Sequence, residues 1–292
     1  MSPANILITG NTGYIGRALH RALAGKFNVF TSNSIDNNLS ETKYWNLPKL
    51  CIIYHCACHA RAGSYCLTHQ SDYWIVNQKL NTAMIDYWVE KQPQAELHTF
   101  GTSCSYDPDS LHSEEYYLRG TPYPDLYYYA MTKRMLLIGL MAAKAQHGLK
   151  YKHFILPTVY GPGFSATDNH FVYDLIRKIV CYKRTGIPAR LWGNGTQTRQ
   201  LLFIEDLISA ITSEKIEEDS INIAFDRART IRDIASDIAF HLGTDDKSFT
   251  FDPSMYVGVK NRELVYNMVA KYGFSYTPLI EGLQKTIPHE KV

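Results

Sequence analysis

The sequence predicts an α/β chain built on a Rossmann-type, doubly wound parallel sheet, with a smaller C-terminal substrate lobe. Two observations carry that reading. Over residues 1–160, apolar runs of strand length alternate with longer stretches of helical period, the pattern of repeated β-α-β units. A glycine-rich turn, Gly10-Asn11-Thr12-Gly13-Tyr14-Ile15-Gly16, stands between the first such run and the first helical stretch. Size agrees: with 292 residues, 45% hydrophobic and 20% charged, the chain has core enough without disulfide or metal staples, and neither a disordered nor a collagenous chain fits.

Residues 4–9 (ANILIT) read as a short buried strand. The helix behind the glycine turn has apolar positions at Ile15, Leu19, Ala22 and Leu23 and stops near Gly25. Residues 28–31 form the second strand. The near-continuous apolar run at 51–57 (CIIYHCA) suits a parallel strand covered on both faces. Residues 72–90 read as a helix, with Trp74, Leu80, Met84 and Trp88 as its apolar face. Strand 96–100, helix 127–146 and strand 152–156, stopped by Pro157, follow in turn. From Gly161 the texture changes. Gly161-Pro162-Gly163, Gly186, Pro188, Gly193 and Gly195 punctuate shorter strands, so residues 161–292 are expected to form mainly the substrate lobe, interleaved with the first domain.

Composition narrows the partners. Thirty basic against 28 acidic residues leave a net charge of +2, too little to argue for nucleic acid or an anionic membrane surface. The chain has no run of 18 apolar residues, and MSPANILITG has neither a basic leader nor a cleavage site, so a cytoplasmic protein is expected. Cys51, Cys56, Cys58, Cys66, Cys104 and Cys181 are then expected to stay reduced. Cys51, Cys56, Cys58, His59 and Cys66 lack paired C-x-x-C knuckles, so CIIYHCAC reads as a buried strand, and no metal is expected.

Three groups carry chemistry. In the glycine turn, the first glycine makes the tight bend, the second lets backbone approach a pyrophosphate, and the third lets helix and strand pack closely. The helix N-terminus then offers free N–H groups to the phosphates. At the end of the second strand an acid would hold the ribose hydroxyls of NAD. Thr31, Ser32, Asn33 and Ser34 stand there instead, with Asp36 beyond them. NADP is favoured and NAD stays open. Of the consecutive Tyr127, Tyr128 and Tyr129, only Tyr129 has a lysine four residues on, Lys133, on the same helix face. That ammonium and a positively charged nicotinamide both favour phenolate, which suits Tyr129 to proton exchange near neutral pH. In Thr99-Phe100-Gly101-Thr102-Ser103-Cys104, at the end of the preceding strand, Thr102 and Ser103 both offer a hydroxyl for a substrate carbonyl.

These residues resemble the extended short-chain dehydrogenase/reductase superfamily, in its nucleotide-sugar epimerase and dehydratase branch. The resemblance spans nearly the whole chain: GNTGYIG, GTSCSY, YAMTK, PTVYGPG, WGNGTQTRQLLFIEDL and the closing KYGFSYTPLIEGLQKTI occur in the family's order. Within that branch it is nearest the GDP-L-fucose synthase group of epimerase/reductases. By that likeness Thr102 takes the catalytic hydroxyl role, with Tyr129 and Lys133. Cys104 and His170 match the residues that move protons during epimerisation. Ser103, Asn169, Lys178, Trp192 and Arg199 match substrate contacts, Arg199 at the diphosphate. Ala57, Pro157 and Thr158 match cofactor contacts. The chain departs from the pattern in having Thr102 for serine, Asp107 for proline and Val159 for asparagine, and in lacking basic residues after the second strand.

The resemblance implies an NAD(P)H-dependent epimerase/reductase acting on an NDP-4-keto-6-deoxyhexose, GDP-linked in preference, in a homodimer. A 4-reductase without epimerisation, a 4-epimerase with retained NAD and a dinucleotide-sensing regulator are the rival readings.

Overall fold

The computed structural model describes residues 3–33, 38–39, 42, 45–60, 65–164, 170–255, 257 and 259–287. Asp36 and Asn169, singled out above, lie outside them. Six strands form one sheet in the order β10-β5-β4-β3-β1-β2, every neighbouring pair parallel. The first three are β1 (Asn5–Thr9), β2 (Asn28–Ser32) and β3 (Ile52–His55). β4 (Glu96–Thr102), β5 (Tyr151–Leu156) and β10 (Ser220–Asn222) complete it. β1 lies inside the sheet with β2 on one side and β3 on the other, so the chain reverses its winding there and a crevice opens at the strands' C-terminal ends.

Helices cover both faces because alternate residues of each strand point to opposite sides. Ile6 and Ile8 pack with Leu19 and Leu23 of α1 (Tyr14–Leu23) and with Leu207 and Ile211 of α6 (Ile204–Ile211). Leu7 and Ile53 meet the other layer, which holds the short α2 (Tyr65–Thr68), α3 (Gln70–Lys91) and α4 (Tyr127–His147). The elements foreseen in residues 1–160 all form, with ends that move by one or two residues. One face differs. The buried line of α3 is Tyr73, Asn77, Asn81, Met84 and Trp88, while Trp74 stays 38% exposed. Met84 sits eleven residues from Tyr73, three full helical turns, so the face that carries Met84 and Trp88 inward also carries Tyr73 and turns Trp74 out.

Beyond β5 the chain builds a second core. It holds β6 (Thr158–Tyr160), α5 (Phe171–Thr185), β7 (Ala189–Trp192), β8 (Thr198–Arg199) and β9 (Leu201–Phe203). After β10 come β11 (Arg229–Thr230), α7 (Ile231–His241), β12 (Phe249–Asp252), α8 (Met268–Tyr272) and α9 (Leu279–Thr286). Three two-stranded pairs, β6-β9, β7-β12 and β8-β11, tie it together, over a core of α5, α7 and α9 residues. β10 returns to the edge of the large sheet, so the two parts interleave. No helix among the described residues is long and apolar enough to cross a membrane.

Candidate active site

The crevice begins at the glycine turn. Gly10 has φ +66, and a Cβ there would stand 2.7 Å from the backbone of Ala57. A Cβ on Gly16 would stand 2.2 Å from the carbonyl oxygen of Gly10. Neither position admits a side chain, because turn, helix and β3 backbone meet there without gaps. The N-terminus of α1 has no side-chain cap and no acid in its first turn, which leaves its N–H groups for a ligand. Gly10 N–H bonds Ser32 C=O at 2.7 Å, and Asn33 Nδ2 donates to Asn11 Oδ1 at 3.2 Å, so the ends of β1 and β2 meet here. Arg17 clasps the turn from below, donating to Thr12 C=O and, at 2.9 Å, to Gly163 C=O. A pyrophosphate fits this backbone cradle, which admits no Cβ at Gly10 or Gly16 and ends in the uncapped N-terminus of α1.

A directed chain of hydrogen bonds runs from the cradle to α4. Thr9 Oγ1 accepts from Ala57 N–H at 3.2 Å and contacts His55 Nδ1 at 2.8 Å. His55 Nε2 reaches Asn81 Oδ1 at 3.3 Å, and Asn81 Nδ2 donates to Thr132 C=O at 3.3 Å. With Thr9 donating to Nδ1, the proton of His55 must sit on Nε2. Burial, and then the Lys133 ammonium, lower the His55 pKa to about 3, and the same causes bring His153 to about 3. Lys133 is itself only 7% exposed, so its charge falls on these two neutral rings and on Cys56.

Tyr129 stands in the first turn of α4 with its ring 5.6 Å from that of Tyr73. Burial raises its pKa well above the ordinary phenol value, and Cys58 and Cys104 push the same way. In the chain alone the phenol is therefore a proton donor; the phenolate expected from the sequence includes the charge of a bound nicotinamide.

The Thr102 side lies at the end of β4. Thr102 Oγ1 caps a 3-10 turn, Ser103–Ser105, by accepting Cys104 N–H at 3.3 Å. Thr102 N–H meets the Tyr117 hydroxyl at 3.4 Å. Arg134, buried one residue past Lys133, donates from Nε to Ser105 C=O at 2.8 Å and from its two other nitrogens to Gly120 and Arg119 C=O at 2.8 and 2.7 Å. One helix thus carries Tyr129 and Lys133 and also fixes the turn that carries Thr102 and Cys104. The departure at Asp107 finds its reason here: its carboxylate accepts Asp109 N–H at 3.0 Å and Thr121 N–H at 2.8 Å and closes the loop that Arg134 holds.

The second lobe supplies cations. Arg199 Nη1 donates to Thr198 and Val259 C=O, both at 2.8 Å. Burial first, and the charge of Arg262 second, lower its pKa to about 9. Arg262 Nη1 donates to Cys104 Sγ at 2.5 Å. Arg262, Arg134, Tyr117 and His55 were missed in the sequence. Arg134 alone had a signal, its place beside Lys133, while KNREL around Arg262 has no spacing that marks it.

The structure thus brings together the glycine turn, Thr31 to Asn33 at the end of β2, Ala57, Lys133 and Tyr129, and joins Cys104 to Arg199 through Arg262. Pro157 and Thr158 follow β5, with Thr158 N–H on Gln200 C=O at 3.1 Å. The other substrate-side residues have separate contacts among the described residues. His170 precedes α5 with its ring 5.0 Å from Phe164, which packs 3.9 Å from Tyr14 of the glycine turn. Lys178 pairs with Asp174 at 2.7 Å, and Trp192 ends β7 at 47% exposure. The cysteine-rich run serves separate contacts: Cys51 Sγ donates to Asn5 C=O at 3.1 Å and Cys58 Sγ to Asn77 Oδ1 at 3.3 Å.

Comparison with known proteins places these features. The model of the NAD dependent epimerase/dehydratase family matches residues 6–224. GDP-L-fucose synthase of Escherichia coli (strain K12) is 23% identical over 312 residues, covering 98% of this chain and 96% of that protein. Two solved structures share the fold. A GDP-L-fucose synthetase from Naegleria fowleri superposes with a TM-score of 0.82 at 20% identity, over 99% of this chain and 94% of that one. The GDP-mannoheptose C4 reductase of Campylobacter jejuni with NADP bound gives 0.84 at 18% identity, over 100% and 99%.

Proposed function

The chain belongs to the NAD dependent epimerase/dehydratase family, and from that premise we propose that it is an NADPH-dependent epimerase/reductase of a GDP-4-keto-6-deoxyhexose. One observation carries the reading. Cys104 meets the Arg262 guanidinium on one side, and on the other its turn is held through Ser105 by Arg134 of α4, the helix that carries Tyr129 and Lys133. A sugar whose diphosphate meets the arginines and whose keto group meets the phenol therefore passes over the sulfur.

The 4-keto group acidifies the carbons on either side, so a base and an acid can invert them through an enolate. Cys104 serves one side and His170 the other. Thr102 and Ser103 orient the carbonyl, while Asn169, Lys178 and Trp192 line the sugar nucleotide and Arg199 with Arg262 hold its diphosphate. Bound nicotinamide supplies the hydride for carbon 4. Tyr129 gives the proton to the resulting alkoxide, and Lys133 holds the ribose and supports the phenol. Gly10 to Gly16, Thr31 to Asn33, Ala57, Pro157 and Thr158 seat the dinucleotide. Residues 1–160 form the dinucleotide domain and 161–292 most of the substrate lobe, in a cytoplasmic enzyme of carbohydrate biosynthesis. A homodimer through α3 and α4 is supported by the apolar side chains they leave exposed, Ile75 on one and Tyr128, Met135, Ile138 and Met141 on the other.

The test mixes the protein with NADPH and a GDP-4-keto-6-deoxyhexose and follows nicotinamide absorbance, with NMR of the product. Stoichiometric oxidation with inversion beside the keto carbon is expected. Oxidation without inversion leaves a 4-reductase, turnover without net oxidation a 4-epimerase with retained NAD, and tight binding without turnover a sensor.

A further inference from the structure

Arg262 contacts the Thr102–Cys104 turn, and Arg199 is its neighbour. Arg199 stands directly opposite Arg229 in the antiparallel β8–β11 pair, an arrangement that like charges disfavour. Arg229 is answered by Asp237 at 2.6 Å. Arg199 has carbonyls as its acceptors, and Arg262 has a sulfur. The Nε of Arg262 is buried with no hydrogen-bond partner. Among the described residues, then, two neighbouring guanidinium groups are without a carboxylate, and one of them leans on the thiol that the proposed reaction uses as its base.

We propose that Arg262 serves two anions in turn, the Cys104 sulfur and the diphosphate of the substrate, and that the second withdraws it from the first. The inference rests on the reading above for the identity of the diphosphate and deepens it. A sulfur anion accepts a charge-assisted N–H bond far better than a neutral thiol does, so the guanidinium contact favours the deprotonated sulfur, its proton released to solvent. A diphosphate offers Arg262 a stronger, bidentate partner. Once Arg262 turns to it, the sulfur has lost its hydrogen-bonded cation. Its affinity for a proton rises at the moment the acidified C–H of the sugar lies beside it. The proton passes from carbon to sulfur, and the electron pair of the broken C–H bond enters the enolate of the 4-keto group. Arg262 is thus a positioning residue that links filling of the diphosphate site to the basicity of the thiol.

The test follows alkylation of Cys104 by iodoacetamide in the full-length protein, read by mass spectrometry of the Cys104 peptide, with inorganic pyrophosphate as the probe anion. The anionic sulfur is the reacting form. Pyrophosphate is expected to slow labelling of the parent by about threefold to tenfold. Arg262→Met is expected to label as slowly without pyrophosphate and to ignore its addition, while Arg262→Lys, which keeps the charge, labels fast. Labelling in Arg262→Met as fast as in the parent overturns the proposal. So does slowing by pyrophosphate in Arg262→Met, which means plain occlusion, or an absence of slowing in the parent. None of these readouts uses turnover, so their failure leaves the reductase reading standing. Loss of turnover with the pyrophosphate effect intact would sink that reading alone.

Discussion

The two ends of the site are built in different ways. The dinucleotide cradle is local and made of backbone: seven consecutive residues fold against β1, β2 and β3, and its demands are steric, such as the 2.2 Å that separates a Cβ on Gly16 from the Gly10 carbonyl. The substrate end is assembled from side chains far apart in sequence, with Cys104 meeting Arg262 across 158 positions. Backbone geometry tolerates almost no change, whereas a side-chain cluster tolerates change and loses function by steps. The cradle should therefore fail all at once under mutation, and the substrate end one reaction at a time.

The largest effect is expected at the cradle. Gly16→Ala forces backbone against backbone, and overpacking of this kind costs about 1–3 kcal/mol. Dinucleotide affinity, measured by calorimetry, should fall by more than about 100-fold, because the helix N-terminus moves off the phosphates. Retained affinity would show that the turn is not the phosphate site. Tyr129→Phe comes next. It keeps the ring against Tyr73 and removes the donor, so hydride transfer should drop by roughly 10²–10⁴ while dinucleotide binding is unchanged. Equal loss of both would mean that the hydroxyl holds the fold or the cofactor. Cys104→Ser should split the reaction: exchange of solvent deuterium into the carbons beside the keto group falls by about 100-fold, and reduction at carbon 4 continues. Undiminished exchange would remove Cys104 from the proton path.

The same contrast decides what was legible in the sequence. The glycine turn and the Tyr129–Lys133 pair each lie within one element, where spacing fixes geometry. The strands and helices of residues 1–160 were legible for the same reason, since apolar period reports burial directly. Arg262 was not, because only the folding of residues 259–262 against β8 brings it to Cys104. Asp107 was visible only as a departure from a pattern. Its purpose depends on Thr121, which carries no mark of its own, and on Arg134, marked only by its place beside Lys133. On α3 Met84 and Trp88 were placed correctly and the first turn was one residue off, because Trp74 looks more apolar than Tyr73 although the helix turns it outward. Tyr129 shows the limit for electrostatics: its lysine was legible, and the burial and thiols that outweigh it were not.

A smaller effect concerns stability and its pH dependence. His55, which reaches the catalytic helix through Asn81, and His153, which joins Thr99 of β4 to Tyr117, are buried neutral rings with pKa values near 3 against about 6.5 unfolded. Below pH 6.5 the unfolded chain binds protons that the folded chain refuses, so stability is complete above that pH and declines steadily as pH falls toward 3. Each ring contributes a slope approaching about 1.4 kcal/mol per pH unit. Urea unfolding at pH 7, 6 and 5 should show the decline, and His55→Asn with His153→Asn should flatten it. A slope that survives both substitutions would assign it to other groups; His98 and His112, also lowered by burial, are the next to examine.

The smallest effect separates positioning from chemistry. The two backbone N–H groups that Asp107 accepts hold its carboxyl below the ordinary carboxylate range, so the clasp is complete above about pH 4 and weakens as pH falls below it. The group faces solvent, which screens its charge, so Asp107→Asn should cost under about 1 kcal/mol. Its consequence is local. The bond that closes at Thr121 is the one that sets the loop above the Cys104 turn, and the Arg134 bonds to Arg119 and Gly120 remain to hold the rest. Hydrogen exchange at the Thr121 amide should therefore quicken, while amides of the glycine turn keep their protection. Inversion beside the keto carbon should slow more than reduction does, because the first depends on the turn that carries Cys104 and the second on α4. If both reactions slow together, the loop acts on the whole crevice, and the division between a rigid cradle and a side-chain cluster that can be tuned is drawn in the wrong place.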